Sequence, residues 1–208
     1  MEGLFITFEG PEGAGKSTQA RLLAEWYRTK GREVVLTREP GGTELGLALR
    51  RIVLSHPMRP ETEFLLYSAD RAEHVATVIR PALKRGAVVL CDRWLDSSLA
   101  YQGYGRGLSL EWMRAVSQEF LGDLRPHLTF LLTLPPRLGL WRARHRRRSQ
   151  EPDRFEEEEL AFHERVLAGF HKLAEAEPKR FVVVDVQQPR AEAVQQRLRE
   201  VLQARGWA

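Results

Sequence analysis

The stretch "LFITFEGPEGAGKSTQARLL" (residues 4–23) decides how the chain is read. Its first six residues are apolar and β-prone, and they run straight into the glycine loop "GPEGAGKS" (10–17). Beyond the loop, Leu22, Leu23, Trp26 and Tyr27 recur at helical spacing until Gly31. Strand, glycine turn, helix is the setting in which G-x-x-x-x-G-K-S cradles phosphate. The glycines let backbone N–H groups converge, and the helix N-terminus adds positive potential. Lys16 can reach the β and γ phosphates, and Ser17 can ligate Mg2+. The segment Gly10, Pro11, Glu12, Gly13, Ala14, Gly15, Lys16, Ser17 and Thr18 is therefore the expected ATP-binding loop. Glu12 is the exception, because it puts a carboxylate where a polyanion should sit, and so it points to a second substrate.

Four more apolar runs follow, at 34–37, 87–92, 128–134 and 181–186, each separated from the next by helix-like sequence. Near-continuous hydrophobicity suits strands covered on both faces. The pattern predicts an α/β P-loop fold, a mostly parallel five-stranded sheet flanked by helices. Helices are expected at 43–55, 61–85, 110–121, 136–147, 155–176 and 190–205, and "GYGRG" (103–107) reads as a mobile connection. There is no internal repeat and no dividing linker, so residues 1–208 are expected to form one domain.

Composition narrows the function. The chain has 208 residues, 43% hydrophobic and 29% charged, enough for a substantial core. The single cysteine, Cys91, lies in an apolar run and reads as a small buried hydrophobe. Neither a membrane span nor a signal peptide is recognisable, which makes the cytoplasm the expected compartment. The net charge of +4 suits nucleic acid and phosphorylated small molecules equally. All but five of the 32 basic residues are arginine, and their placement has to decide.

Asp92 ends the run "VVLCD", at the sheet edge where α/β folds bind ligands and where an acid can hold Mg2+ through water. Arg93 follows it, and Arg38 ends the preceding strand, so two guanidinium forks can converge on a further phosphate. The segment 142–156, "RARHRRRSQEPDRFE", lacks the aromatic interleaving of a strand-binding surface. It reads instead as a lid that brings positive charge to a phosphoryl-transfer site and excludes water. A different nucleoside monophosphate kinase and a nucleic-acid-stimulated ATPase are the rival readings.

With these residues in view, the chain resembles the bacterial thymidylate kinases. The resemblance is carried by "FEGPEGAGKST" (8–18), "TREPGGT" (37–43), "LLYSADRAEH" (65–74), "DRWLDSSLAYQG" (92–103) and the lid ending in "DRFE". It implies transfer of the γ-phosphate of Mg-ATP to dTMP, no nucleic-acid or membrane partner, and a homodimer. It further implies that Glu12 meets the 3′-hydroxyl of dTMP and that Arg38 and Arg93 hold its phosphate. Tyr67 would stack on thymine, Arg71 would read the base beside Ser98 and Gln102, and Tyr101 would crowd the sugar edge that carries a ribose 2′-hydroxyl. Gly13 stands where some members have a basic residue. The catalytic charge is therefore expected from the lid, from Arg154 or Arg148, with Arg142 against adenine, alongside Lys16 and Arg93.

Overall fold

A computed structural model describes residues 3–146 and 153–208. In it, β1 (Leu4–Glu9), β2 (Val34–Arg38), β3 (Val88–Asp92), β4 (Leu128–Thr133) and β5 (Phe181–Asp185) form one sheet in the order β2-β3-β1-β4-β5, every pairing parallel. Successive side chains of β1 point to opposite faces. Leu4, Ile6 and Phe8 pack with α1 (Lys16–Thr29) and α9 (Ala191–Ala204) through Leu23, Tyr27 and Leu198. On the other face Phe5 meets Trp94 edge-on at 5.1 Å and packs with Ile79 and Cys91. Cys91 is fully buried, as its apolar surroundings predict.

Helices α2 (Glu44–Ser55), α3 (Pro60–His74), α6 (Leu110–Leu121) and α7 (Pro136–Arg146) keep close to their expected bounds at the N-terminus. Thr43 caps α2 by accepting from the Gly46 N–H at 2.9 Å. Three expectations need correction. The helix foreseen at 61–85 is interrupted: α3 passes through a π-helical turn, Val75–Ile79, into α4 (Arg80–Lys84). Pro81 lacks the N–H that would continue the ladder, and the wider turn absorbs that loss.

The helix foreseen at 155–176 is split into a 3-10 turn, Arg154–Glu157, and α8 (Leu160–Ala176). Asp153 closes the first piece by accepting from the Phe155 N–H at 3.1 Å, and Glu158 and Glu159 are extended between the two. Four successive carboxylates, Glu156 to Glu159, repel one another less in that broken form.

The "GYGRG" segment is a packed element and not a mobile connection. Following α5 (Leu95–Ser98), a π-helical stretch, Leu99–Gly105, lies buried against α8. A Cβ on Gly105 would come within 2.7 Å of the Phe162 ring, so the glycine serves close helix contact. Among the described residues, no helix is long and apolar enough to cross a membrane.

Candidate active site

The loop from Gly10 to Ser17 leaves β1 at the carboxyl edge of the sheet and enters α1. Gly13 has φ 71°, and a Cβ there would lie 2.1 Å from the Gly139 carbonyl oxygen on α7. Backbone conformation and α7 together forbid a side chain at Gly13, which is the physical reason this loop carries no basic residue after its acid. Lys16 Nζ donates to the carbonyls of Gly10 at 3.0 Å and Pro11 at 2.7 Å. Burial and the neighbouring Arg93 lower its pKa to about 8 against the pull of Asp92, Glu12 and Glu9.

Asp92 ends β3 in register with Phe8 of β1 and Arg38 of β2, so three strand ends face one cleft. Ser17 Oγ donates to Asp92 Oδ2 at the mouth of the loop. That pair supplies hard oxygen donors, the chemistry Mg2+ prefers when phosphates and water complete its shell. Among the described residues, no three His, Cys, Asp or Glu side chains gather into a metal cage. Arg38 is exposed and lines the same cleft as Lys16, Asp92 and Arg93.

Arg93 has φ 71°, a conformation that only glycine adopts freely. Contacts on every side hold it there. Its N–H donates to the Phe8 carbonyl at 2.9 Å, and its Nη1 donates to Gly10 O and to Ser97 Oγ, each at 3.1 Å. Nη2 reaches Glu12 Oε1 and the Tyr101 hydroxyl, each at 3.3 Å. Beneath the turn, Glu9 accepts from Ser97 Oγ and, at 2.8 Å, from the Trp94 N–H. Burial and then Asp96 push the Glu9 carboxyl up to about 8.

Glu12 turns from the loop towards a second cleft, which Tyr67, Arg71, Ser98, Tyr101 and Gln102 line together. Aromatic faces with a few convergent polar groups are the lining of a small-molecule site. The Tyr101 hydroxyl donates to Glu12 Oε1 at 2.6 Å. Burial alone would raise the Glu12 carboxyl, but His163, Arg93, Lys16 and Tyr101 outweigh it and hold it at about 2.

Arg71 is almost fully buried. Its Nε donates to Glu39 Oε2 at 2.6 Å and its Nη2 to Ser98 Oγ at 3.1 Å, over the Trp94 ring at 5.4 Å. Nη1 is buried with no partner, so one guanidinium corner is left to bind something in the cleft. Tyr67 lies 6.5 Å from Phe155 across the same space, and burial raises its phenol pKa.

The structure separates the lid residues. Arg142 on α7 donates to the carbonyls of Val186 at 2.9 Å and Gln187 at 2.8 Å, beside a third hollow formed by the loop, Trp141 and α9. Arg154 lies on the acceptor side, where Nε donates to Val53 O at 2.8 Å and Nη2 pairs with Glu63. Arg148 falls outside the described residues.

Sequence reasoning missed several residues of this site. Glu39 orients Arg71 and lies inside "REPGGT", where its motif could have drawn attention. Glu63 is fully buried and gathers Gln102 at 2.6 Å, Arg106 at 3.3 Å and Arg154, a role no local signal announces. His74 is structural, bonded to Glu39 at 2.8 Å, but the buried His163 faces Glu12.

A family model described as thymidylate kinase matches residues 8–198. The thymidylate kinase of Deinococcus radiodurans is 55% identical over 193 residues, 92% of each chain. That of Pseudomonas fluorescens Pf0-1 is 56% identical over 192 residues, 91% of this chain and 90% of the relative. The crystal structure of thymidylate kinase from Ehrlichia chaffeensis superposes with a TM-score of 0.81 at 31% identity, covering 97% of this chain and 100% of the other.

Proposed function

The chain belongs to the thymidylate kinase family, and on that premise we propose which of its residues carry the family's reaction. It is an ATP:dTMP phosphotransferase that passes the γ-phosphoryl group of ATP to dTMP, giving ADP and dTDP. The observation that carries the residue assignment is the meeting of two clefts at Glu12 and Arg93, one running over the phosphate loop and the other ending at Arg71.

In the donor cleft, Gly10 to Thr18 would hold the ATP phosphates through backbone N–H groups, with Lys16 on the β and γ oxygens. Arg142 and Trp141 would flank adenine. The family uses ATP with magnesium, which neutralises charge on the β and γ phosphates. Ser17 and Asp92 are the residues that fit the ion, because their oxygens already share one hydrogen bond at the loop's mouth.

In the acceptor cleft, Arg38 and Arg93 would grip the dTMP phosphate and Glu12 the sugar 3′-hydroxyl. Tyr67 would stack on thymine, with Arg71, Ser98 and Gln102 along its polar edge and Tyr101 under the sugar. The acceptor is an ionised phosphate, so in-line transfer needs no general base and rests on positioning and charge neutralisation. Arg154 and Arg148 are the proposed lid charges. For Arg154 this requires release from Glu63, which keeps Arg106 and Gln102 as partners.

We read residues 1–208 as one kinase domain that contains the lid at 142–156. It would work in the cytoplasm, where ATP and dTMP are found, without nucleic acid. A homodimer through the outer helices is supported by Leu65 on α3 and Trp112 on α6, both exposed.

Incubation with Mg-ATP and equal dTMP, dUMP, UMP, CMP, GMP and AMP tests the reading. ADP matched by dTDP is expected, strongest for dTMP. ADP without a diphosphate would overturn it, as would near-normal turnover of Lys16→Ala or Arg93→Ala.

A further inference from the structure

Glu12 must present an oxygen to the acceptor sugar, and its two oxygens differ. Oε1 accepts from the Tyr101 hydroxyl at 2.6 Å and lies 3.3 Å from Arg93 Nη2. Oε2 is buried and has no hydrogen-bond partner, yet His163 Nδ1 stands 3.4 Å from it. That distance is too long for a well-formed hydrogen bond and short enough for strong attraction to an N–H in buried surroundings. The histidine is 1% exposed, and its Nε2 has no hydrogen-bond partner, so among the described residues Glu12 is the one polar group that its ring addresses.

The position of His163 in the fold gives the contact a consequence. It lies near the start of α8, just beyond the lid, beside Phe162, whose ring packs on Tyr101 at 6.1 Å. The charged and titratable groups that attract Glu12 come from separate elements: Lys16 from α1, Arg93 after β3, Tyr101 from the π-helical stretch and His163 from α8, while Asp153, before the 3-10 turn, repels it. Lys16 and Arg93 are committed to phosphate chemistry and Tyr101 to Oε1. Among the described residues, His163 alone addresses Oε2.

We propose that His163 is a positioning residue for the acceptor sugar: its Nδ1–H anchors the buried Oε2 of Glu12 and so fixes the carboxylate for the 3′-hydroxyl of dTMP. This rests on the reading of Glu12 as the sugar-binding acid. With the proton on Nδ1, the imidazole supplies the donor that stops the carboxylate rotating away. A role of this kind acts on dTMP and is silent towards an acceptor that lacks the hydroxyl.

The test compares kcat/KM for dTMP with that for 3′-deoxythymidine 5′-monophosphate in the full-length enzyme and in Glu12→Ala, His163→Phe, His163→Asn and His163→Gln. Thermal unfolding of each variant is followed in parallel. The enzyme's preference for the hydroxylated substrate is expected to collapse in Glu12→Ala. In His163→Phe and His163→Gln, whose amide falls at the Nε2 position, it should fall by about tenfold, the scale of one charge-assisted hydrogen bond, with the deoxy substrate little changed. His163→Asn places an amide N–H where Nδ1–H stands and should recover part of the preference. If His163→Phe does not fold, the polar His163→Gln carries the measurement. Equal losses for both substrates in the His163 variants, with the preference abolished in Glu12→Ala, would reduce His163 to packing and overturn the proposal. A preference that survives Glu12→Ala would overturn the sugar-binding role of Glu12 itself.

Discussion

Replacing Glu39 by alanine would strand two buried groups at once. Glu39 side-chain exposure is 2%, that of Arg71 is 2% and that of His74 is 0%, with Arg71 Nε at 2.6 Å and His74 Nδ1 at 2.8 Å from its two oxygens. Removing one member of a buried ion pair leaves the other charge without compensation, which destabilises by about 3–5 kcal/mol. For a domain of this size, each kcal/mol lowers Tm by about 2–4 °C, so Glu39→Ala should melt about 10 °C below the parent enzyme. The same change frees Arg71 to leave Ser98, and KM for dTMP should rise about tenfold while KM for ATP moves less than about twofold. Differential scanning calorimetry and steady-state kinetics on Glu39→Ala, Arg71→Ala and the double variant would form a cycle. A double variant well short of the sum of the two singles is expected. Additivity within about 0.5 kcal/mol, or equal effects on both KM values, would refute the view that Glu39 acts through Arg71.

Gly13→Lys, which imitates loops that carry their own cation, should lose activity and at least about 1–3 kcal/mol of stability, because φ is 71° and the Gly139 carbonyl is 2.1 Å from the new Cβ. An active, stable Gly13→Lys would show that α7 can retreat. The Lys16 ammonium, lowered to about 8 by burial and Arg93, should make kcat/KM for ATP fall as pH rises through about 8, and a flat profile up to pH 10 would contradict this. Glu9 keeps its proton in the fold up to about 8, whereas an unfolded chain releases it near 4.5. Stability from this group is therefore full below that lower value and is lost as pH climbs to about 8, on the order of 5 kcal/mol in all. Glu9→Gln mimics the protonated acid and should flatten the dependence in urea melts at pH 5, 6.5 and 8; unchanged slopes would show that Glu9 is ionised throughout.

Local signals were readable because each is written in consecutive residues. The loop at 10–17, the strand before it and the helix after it need only neighbours to form, and Asp92 and Arg38 follow from where apolar runs stop. The parallel sheet follows from strands buried on both faces, and every observed pairing is parallel. The "GYGRG" segment misled because glycine has two uses, chain freedom and close approach. Only the Phe162 ring against Gly105 and the Leu110 side chain against Gly103 show that the second applies.

The sequence by itself therefore determined the fold class, the phosphate loop and, through its motifs, the family of reaction. Tertiary structure decided how the charges are paired: Glu39 with Arg71, Glu63 with Arg154, Glu9 beneath Arg93 and His163 against Glu12. Secondary structure follows from short-range sterics and periodic burial, which a linear pattern records. A buried ion pair joins residues far apart in the chain, and its strength depends on distance and desolvation that exist only once the elements have packed.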